Sequence, residues 1–291
     1  MDGQSPEGGG GREFQRVSDE LRVRMTDGTY VQGSFLPSQR DLAEEFGVSR
    51  DTVQRALREL VDERWIESRQ GSGSRVIKIQ RIQSSTPRAT RTRRGMTLGP
   101  LISEAFEAPE VTLDVQTLTA ESLDMHIRLQ AERIHGGVIR PERITLRMLL
   151  PDESMDLPYP RVKGDKDDLR PRERLQAITQ RATDSLRRLL EDLQTERLVD
   201  SVDVQVRHAP LIPTFKLYLL NRVEVLHGMY EVIERPMQLG PAGEVVTALD
   251  VLGLGATLTH HVKDGDPESP GSVFVDTMQT WFDSVWDLLA E

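Results

Sequence analysis

The 291 residues contain no cysteine. That excludes a disulfide framework, a thiolate zinc site, an iron–sulfur cluster and a cysteine nucleophile, and a reducing cytoplasm suits such a chain. No stretch near Met1 runs basic, then apolar, then small, so nothing reads as a signal peptide. No run approaches the ~18 apolar residues of a membrane span. The longest mostly apolar stretch, residues 245–258, is interrupted by Asp250. Lysine is scarce, 5 against 32 arginines, a bias that genome composition accounts for as readily as chemistry does. The length suggests two domains at ~100–200 residues each.

The net charge of −10 argues against a nucleic-acid partner only as an average. Residues 1–95 carry 17 Lys and Arg against 14 Asp and Glu, whereas residues 96–291 carry 20 against 33. A mildly basic front and an acidic back imply separate tasks. Residues 1–13, with four consecutive glycines, read as a disordered tail. Phe14, Val17, Leu21 and Met25 then recur at helical spacing, and Asp27-Gly28 carries turn chemistry. Ser38 suits an N-cap, with Asp41 in the first turn of a short helix over 39–46. Gly47 suits its left-handed stop. Ser49 caps a third helix that runs to about residue 64, with Val53, Leu57, Leu60 and Val61 on one face. Two extended segments, 65–69 and 75–79, flank Gly71-Ser72-Gly73 as a hairpin. Residues 81–94 hold five arginines and no acid, which reads as a basic linker.

Strand-like segments are expected over 111–119, 144–150, 202–207, 216–220, 223–226 and 245–252, and helices over 120–135, 172–194 and 274–289. Such alternation predicts an α/β domain. The expected organisation is a tail (1–13), an α+β winged helix-turn-helix DNA-binding domain (14–80), a basic linker (81–96) and a larger α/β effector-binding and dimerisation domain (97–291).

The segment LPSQRDLAEEFGVSRDTVQRALREL, residues 36–60, carries the functional signal. A tight turn at Gly47 makes two helices cross, so the second can enter a major groove about 12 Å wide with its first residues at the base edges. Ser49, Arg50, Asp51, Thr52, Gln54 and Arg55 cluster there. With Leu42-Ala43, Gly47-Val48-Ser49-Arg50, Ala56-Leu57 and the run Arg69–Gly73, the segment resembles the GntR-type winged helix-turn-helix family of bacterial transcription regulators. The resemblance spans about a quarter of the chain. It implies that Arg40 clamps a phosphate or base, that Arg50 and Thr52 read or abut bases, and that Gln70-Gly71 at the wing tip enter the minor groove. Many members carry arginine where this chain has Gln54; glutamine suits adenine and arginine guanine. Arg55 and Arg58 either touch DNA or are merely solvated. Trp65 reads as a core plug between the third helix and the wing.

Further along, Thr214, Lys216 and Asn221 occupy the spacing His-x-Lys-x4-Asp of phospholipase D-type enzymes, with only the lysine kept. Residues 97–291 thus resemble a degenerate phospholipase D-like domain in local patterns. Threonine lacks a histidine's nucleophilicity, so the resemblance implies at most a phosphate-sized ligand pocket around Lys216, with Thr214 and Asn221 beside it. Lys216 as an ordinary strand lysine stays open. No metal or cofactor site is expected: His260 and His261 alternate across a strand, His126 and His135 are out of helical register, and Gly253-x-Gly255 lacks a third glycine.

The expectation is a ligand-responsive regulator, a repressor more readily than an activator, binding a two-fold DNA operator as a homodimer with a small-molecule effector and no membrane. Two rivals stand beside it: an active phosphodiesterase in the back half, and an adaptor docking another protein.

Overall fold

The computed structural model describes residues 9–26, 29–62, 65–69, 73–77, 82–84, 98–239, 244–253 and 256–291. The chain divides into two compact units, Met1–Ile79 and Gln80–Glu291. The Asp27-Gly28 turn, the wing tip Gln70-Gly71-Ser72 and the arginines of 88–94 lie outside the described residues.

The first unit holds α1 (Gly9–Thr26), α2 (Gln39–Phe46), α3 (Arg50–Asp62) and the antiparallel pair β1 (Ile66–Arg69) and β2 (Gly73–Val76). Helix α1 starts inside the expected tail, so 9–13 is corrected from disordered to helical. Val17, Leu21 and Met25 are fully buried and fix the helix. Extending a formed nucleus upstream avoids the nucleation cost, against about 1 kcal/mol for each helical glycine. Leu42, Val53, Ala56, Leu60, Trp65 and Val76 complete one core, with Trp65 in the place expected for a plug. Phe35 forms a bridge to Arg75 beside the hairpin. Arg22, 4% exposed, pairs with Glu59 at 3.4 Å, and Ser18 donates to the same carboxylate at 2.9 Å. These bonds tie α1 to α3 through polar groups that apolar periodicity does not reveal.

The second unit is built on a seven-stranded sheet ordered β3-β12-β9-β8-β4-β5-β7. These are Ile82–Ser84, Leu258–Val262, Glu224–Met229, Phe215–Leu220, Glu110–Gln116, Arg143–Pro151 and Ser201–Ala209. Strands β4, β5 and β7 run parallel, joined by α5 (Glu121–His135) and α6 (Arg170–Thr195). A helix between parallel strands is the usual crossover. Together with α4 (Leu98–Ala105) these helices pack on one face, over Val111, Leu113, Val115, Tyr218 and Leu226. The opposite face takes α7 (Pro270–Leu288), with Phe282, Val285 and Trp286 against Leu217, Leu219 and Val225. A smaller antiparallel sheet orders β10 (Glu231–Leu239), β11 (Glu244–Leu252) and β6 (Arg161–Val162).

Two expectations need correction. The linker 81–96 is not wholly linker: Ile82–Ser84 pairs parallel with Leu258–His260, because an open sheet edge offers backbone partners that local composition cannot announce. Strand β10 has no expected counterpart. Glu231, Glu234, Arg235 and Pro236 break its alternation, and an edge strand tolerates them. Between β4 and α7, Asp114 (1% exposed) accepts from Arg147 at 2.7 and 2.6 Å and from Gln279 at 2.9 Å. Arg147 also reaches Asp283 at 2.6 Å, which locks the helix to the sheet.

Candidate nucleic-acid interface

The turn between α2 and α3 is built by four short-range devices. Ser38 is extended (φ −63°, ψ 155°) and its hydroxyl accepts from the Asp41 N–H at 3.3 Å. The same hydroxyl donates to the Asp41 carboxylate at 2.7 Å. That bond, then the Arg40 charge, hold the Asp41 carboxyl below its ordinary range. Gly47 lies in the left-handed region at φ 65°, ψ 33°, where an L side chain costs about 1–2 kcal/mol. Val48 N–H closes on Ala43 O at 3.0 Å, and α3 opens on Ser49, whose hydroxyl accepts from Thr52 N–H at 3.1 Å. Leu42, Ala43, Phe46, Val53, Ala56 and Leu57 face inward, so the polar positions between them must face out.

Arg40, Ser49, Arg50, Asp51, Gln54, Arg55 and Arg58 are exposed. Arg50, Gln54 and Arg58 follow at four-residue spacing along one side of α3. Arg55 stacks its guanidinium 5.0 Å over the Phe14 ring, so α1 orients it. Thr52 is corrected. It is only 7% exposed and its hydroxyl meets Ser49 at 2.9 Å, which makes it part of the helix cap. Gln70 and Gly71 lie outside the described residues. Below the wing tip, Ser68 and Ser74 bond hydroxyl to hydroxyl at 2.6 Å and Arg75 is held by Gly33 O at 2.9 Å.

In the second unit the expected ligand trio does not assemble. Asn221 begins the β8–β9 turn at φ 51°. Its side chain accepts from Thr112 N–H at 2.8 Å and donates to Ala105 O at 3.0 Å. It lies five residue steps along the chain from Lys216, about 16 Å at 3.3 Å per residue. Thr214 is exposed, whereas Lys216 is 2% exposed, donates to Gly253 O and lies 5.6 Å over the Tyr230 ring. The residue that joins Lys216 is His126 of α5. Burial, then the Lys216 charge, depress its pKa to about 4, and its Nδ1 has no partner among the described residues. Sequence spacing could not find it, since only helix-on-sheet packing brings 126 to 216. A separate, shallow crevice of about 30 Å³ opens at the carboxyl ends of β4, β5 and β7, lined by Leu118, Met155, Arg172, Gln176 and His208 among others. Among the described residues no group of three His, Asp or Glu could hold a metal ion, and no helix is long and apolar enough to cross a membrane.

Comparison with known proteins bears on the first unit. The family described as "Bacterial regulatory proteins, gntR family" matches residues 14–76. A 69-residue stretch is 41% identical to the mannosyl-D-glycerate transport/metabolism system repressor MngR of Escherichia coli (strain K12), covering 24% of this chain and 28% of that protein. A 90-residue stretch is 33% identical to the HTH-type transcriptional repressor NagR of Bacillus subtilis (strain 168), covering 30% of this chain and 37% of that one. The solved AraR DNA-binding domain in complex with its operator is 30% identical over 22% of this chain and 77% of that domain, at a TM-score of 0.22. The chain thus spans little more than a quarter to a third of these curated relatives.

Proposed function

With residues 14–76 as a GntR-family helix-turn-helix DNA-binding domain, we propose that the whole chain is a sequence-specific transcription regulator, a repressor that binds a two-fold operator as a homodimer and is released by a small molecule. The carrying observation is the exposed row Arg50, Gln54 and Arg58 on a helix whose opposite side is core. Such a helix seats in a major groove with Arg50 nearest the base edges, while Arg40 and the Ser49 end of α3 face phosphates. Arg55, Gln70 and Gly71 complete the contact set. The similarity to MngR and NagR, both repressors, supports the sign of regulation. The acidic second unit, repelled by DNA, serves dimerisation and sensing.

The effector site favoured by topology is the crevice at the carboxyl ends of the parallel strands, where open α/β sheets bind ligands. Lys216, from the resemblance to a phospholipase D-like domain, stays a candidate anion contact with His126 in place of Thr214 and Asn221. Both side chains are buried under 3% exposure, so an anion and a phosphodiester alike would need a local opening to reach them, which weighs against turnover there. Selection of bound fragments from the source genome with purified protein tests the proposal. A recovered inverted repeat, bound less well by Arg50→Ala, is expected, and recovery of no common sequence overturns it.

A further inference from the structure

Strand β7 (Ser201–Ala209) is the outermost strand beyond β5, paired with it without a bulge over nine residues. Edge strands are normally protected by proline, lysine, a bulge or shortness. The other long edge, β10, carries Pro236, and β3 has three residues; β7 has none of these protections. Its hydrogen-bonding directions can be read from its ends. Ala209 O accepts from Asp152 N–H on the β5 side at 3.0 Å. His208 exchanges N–H and C=O with Glu291 at 2.8 and 3.0 Å, and Val202 N–H donates to the Gln194 side chain at 3.3 Å. Even-numbered residues therefore turn their backbone groups away from the sheet. Between those two caps, the outward groups of Val204 and Val206 meet no partner among the described residues. Val202, Val204 and Val206 pack on the core yet stay only half-buried, as expected where the next strand is missing.

We propose that this missing strand is β7 of a second copy of the chain, paired antiparallel about a two-fold axis at Gln205. The inference rests on the homodimer reading above and names its surface. The open window, 203–207, is centred on Gln205. Pairing it with itself sets Val204 opposite the partner's Val206, both with outward N–H and C=O, which gives four backbone bonds. It also sets Asp203 opposite the partner's Arg207, twice, on the α7 side. Shifting the register by two residues in either direction loses both ion pairs, and shifting it by four places Asp203 against Asp203 or Arg207 against Arg207. Opposite charges favour one register and like charges penalise those. Arg207 is already oriented, donating to Trp286 O at 2.8 Å and lying 4.6 Å over that ring. A symmetric contact of this kind closes as a dimer and leaves β7 no open edge for further growth.

The absence of cysteine makes the register testable on a clean background. Gln205 is exposed and on the two-fold axis faces its own copy as a pair that shares no ladder bonds, about 4.5 Å between Cα atoms, within disulfide range. In Gln205→Cys, mild oxidation should give a covalent dimer of the full chain. Asp203→Cys, two residues away and about 14 Å from its own copy, should not. Asp203→Arg, which turns two attractions into two repulsions at an exposed position, should weaken the dimer about tenfold by sedimentation, with an unchanged circular-dichroism spectrum. A wild-type monomer throughout the micromolar range overturns both the dimer reading and this surface. A wild-type dimer with equal cross-linking of the two cysteine variants, or one indifferent to Asp203→Arg, overturns the β7 pairing and leaves the dimer reading standing.

Discussion

His126 turns the packing of α5 on β8 into a pH dependence. Its imidazole is 2% exposed, and burial, reinforced by Lys216, lowers its pKa from 6.5 to about 4. In the unfolded chain it takes up a proton near 6.5, while in the fold it stays neutral until about 4. Between those values the unfolded state binds more protons, so stability rises with pH and levels off above 6.5. At 1.36 kcal/mol per unit the window is worth about 3 kcal/mol. Urea unfolding of wild type and His126→Gln should be compared from pH 7.5 down to 4.5. Other titrating groups, His227 and His261 included, are common to both proteins and cancel in the difference. The substitution should gain about 2–3 kcal/mol relative to wild type over that fall, and the His126 proton resonance should stay neutral to near pH 4. Parallel pH profiles for the two proteins, or a His126 resonance titrating near 6.5, would refute the reasoning.

Three other outcomes are expected. Arg50→Ala should cost about 1–3 kcal/mol on the selected operator and much less on random DNA; equal losses by fluorescence anisotropy would make Arg50 a phosphate contact only. Gly47→Ala should destabilise the first unit by about 1–2 kcal/mol through backbone strain alone, because a Cβ there would touch nothing within 4 Å. A thermal melt indistinguishable from wild type would argue against the left-handed cap. Asp114→Ala, which leaves Arg147 (16% exposed) with Asp283 as its remaining carboxylate, should cost about 3 kcal/mol or more, read as a lowered urea midpoint, and a change below about 1 kcal/mol would show that Asp283 alone suffices.

The first unit was largely legible because its determinants are local. Ser38, Asp41, Gly47 and Ser49 act on backbone groups within four residues of themselves, and apolar spacing on α2 and α3 leaves one solution for which side faces out. Thr52 adds a partner that apolar spacing does not reveal, since its hydroxyl meets the N-cap Ser49 at 2.9 Å. In the second unit, periodicity located the parallel strands and their crossover helices to within a few residues. It missed β3, whose partner β12 is far away in sequence, and β10, whose charges and Pro236 hide a hairpin with its neighbour β11, and it grouped Asn221 with Lys216 on spacing that a straight strand pulls apart.

From the residues alone came a two-part chain, a reader helix beginning at Ser49 and an α/β body, since helix caps and apolar periods are written within a few positions. Only tertiary structure decided that Lys216 is buried beside His126, that Asp114 and Arg147 clasp α7, and that β7 ends the sheet with its outward groups open. Each of these depends on which distant segments share a face, and that is set by the order of strands rather than by any neighbour in sequence.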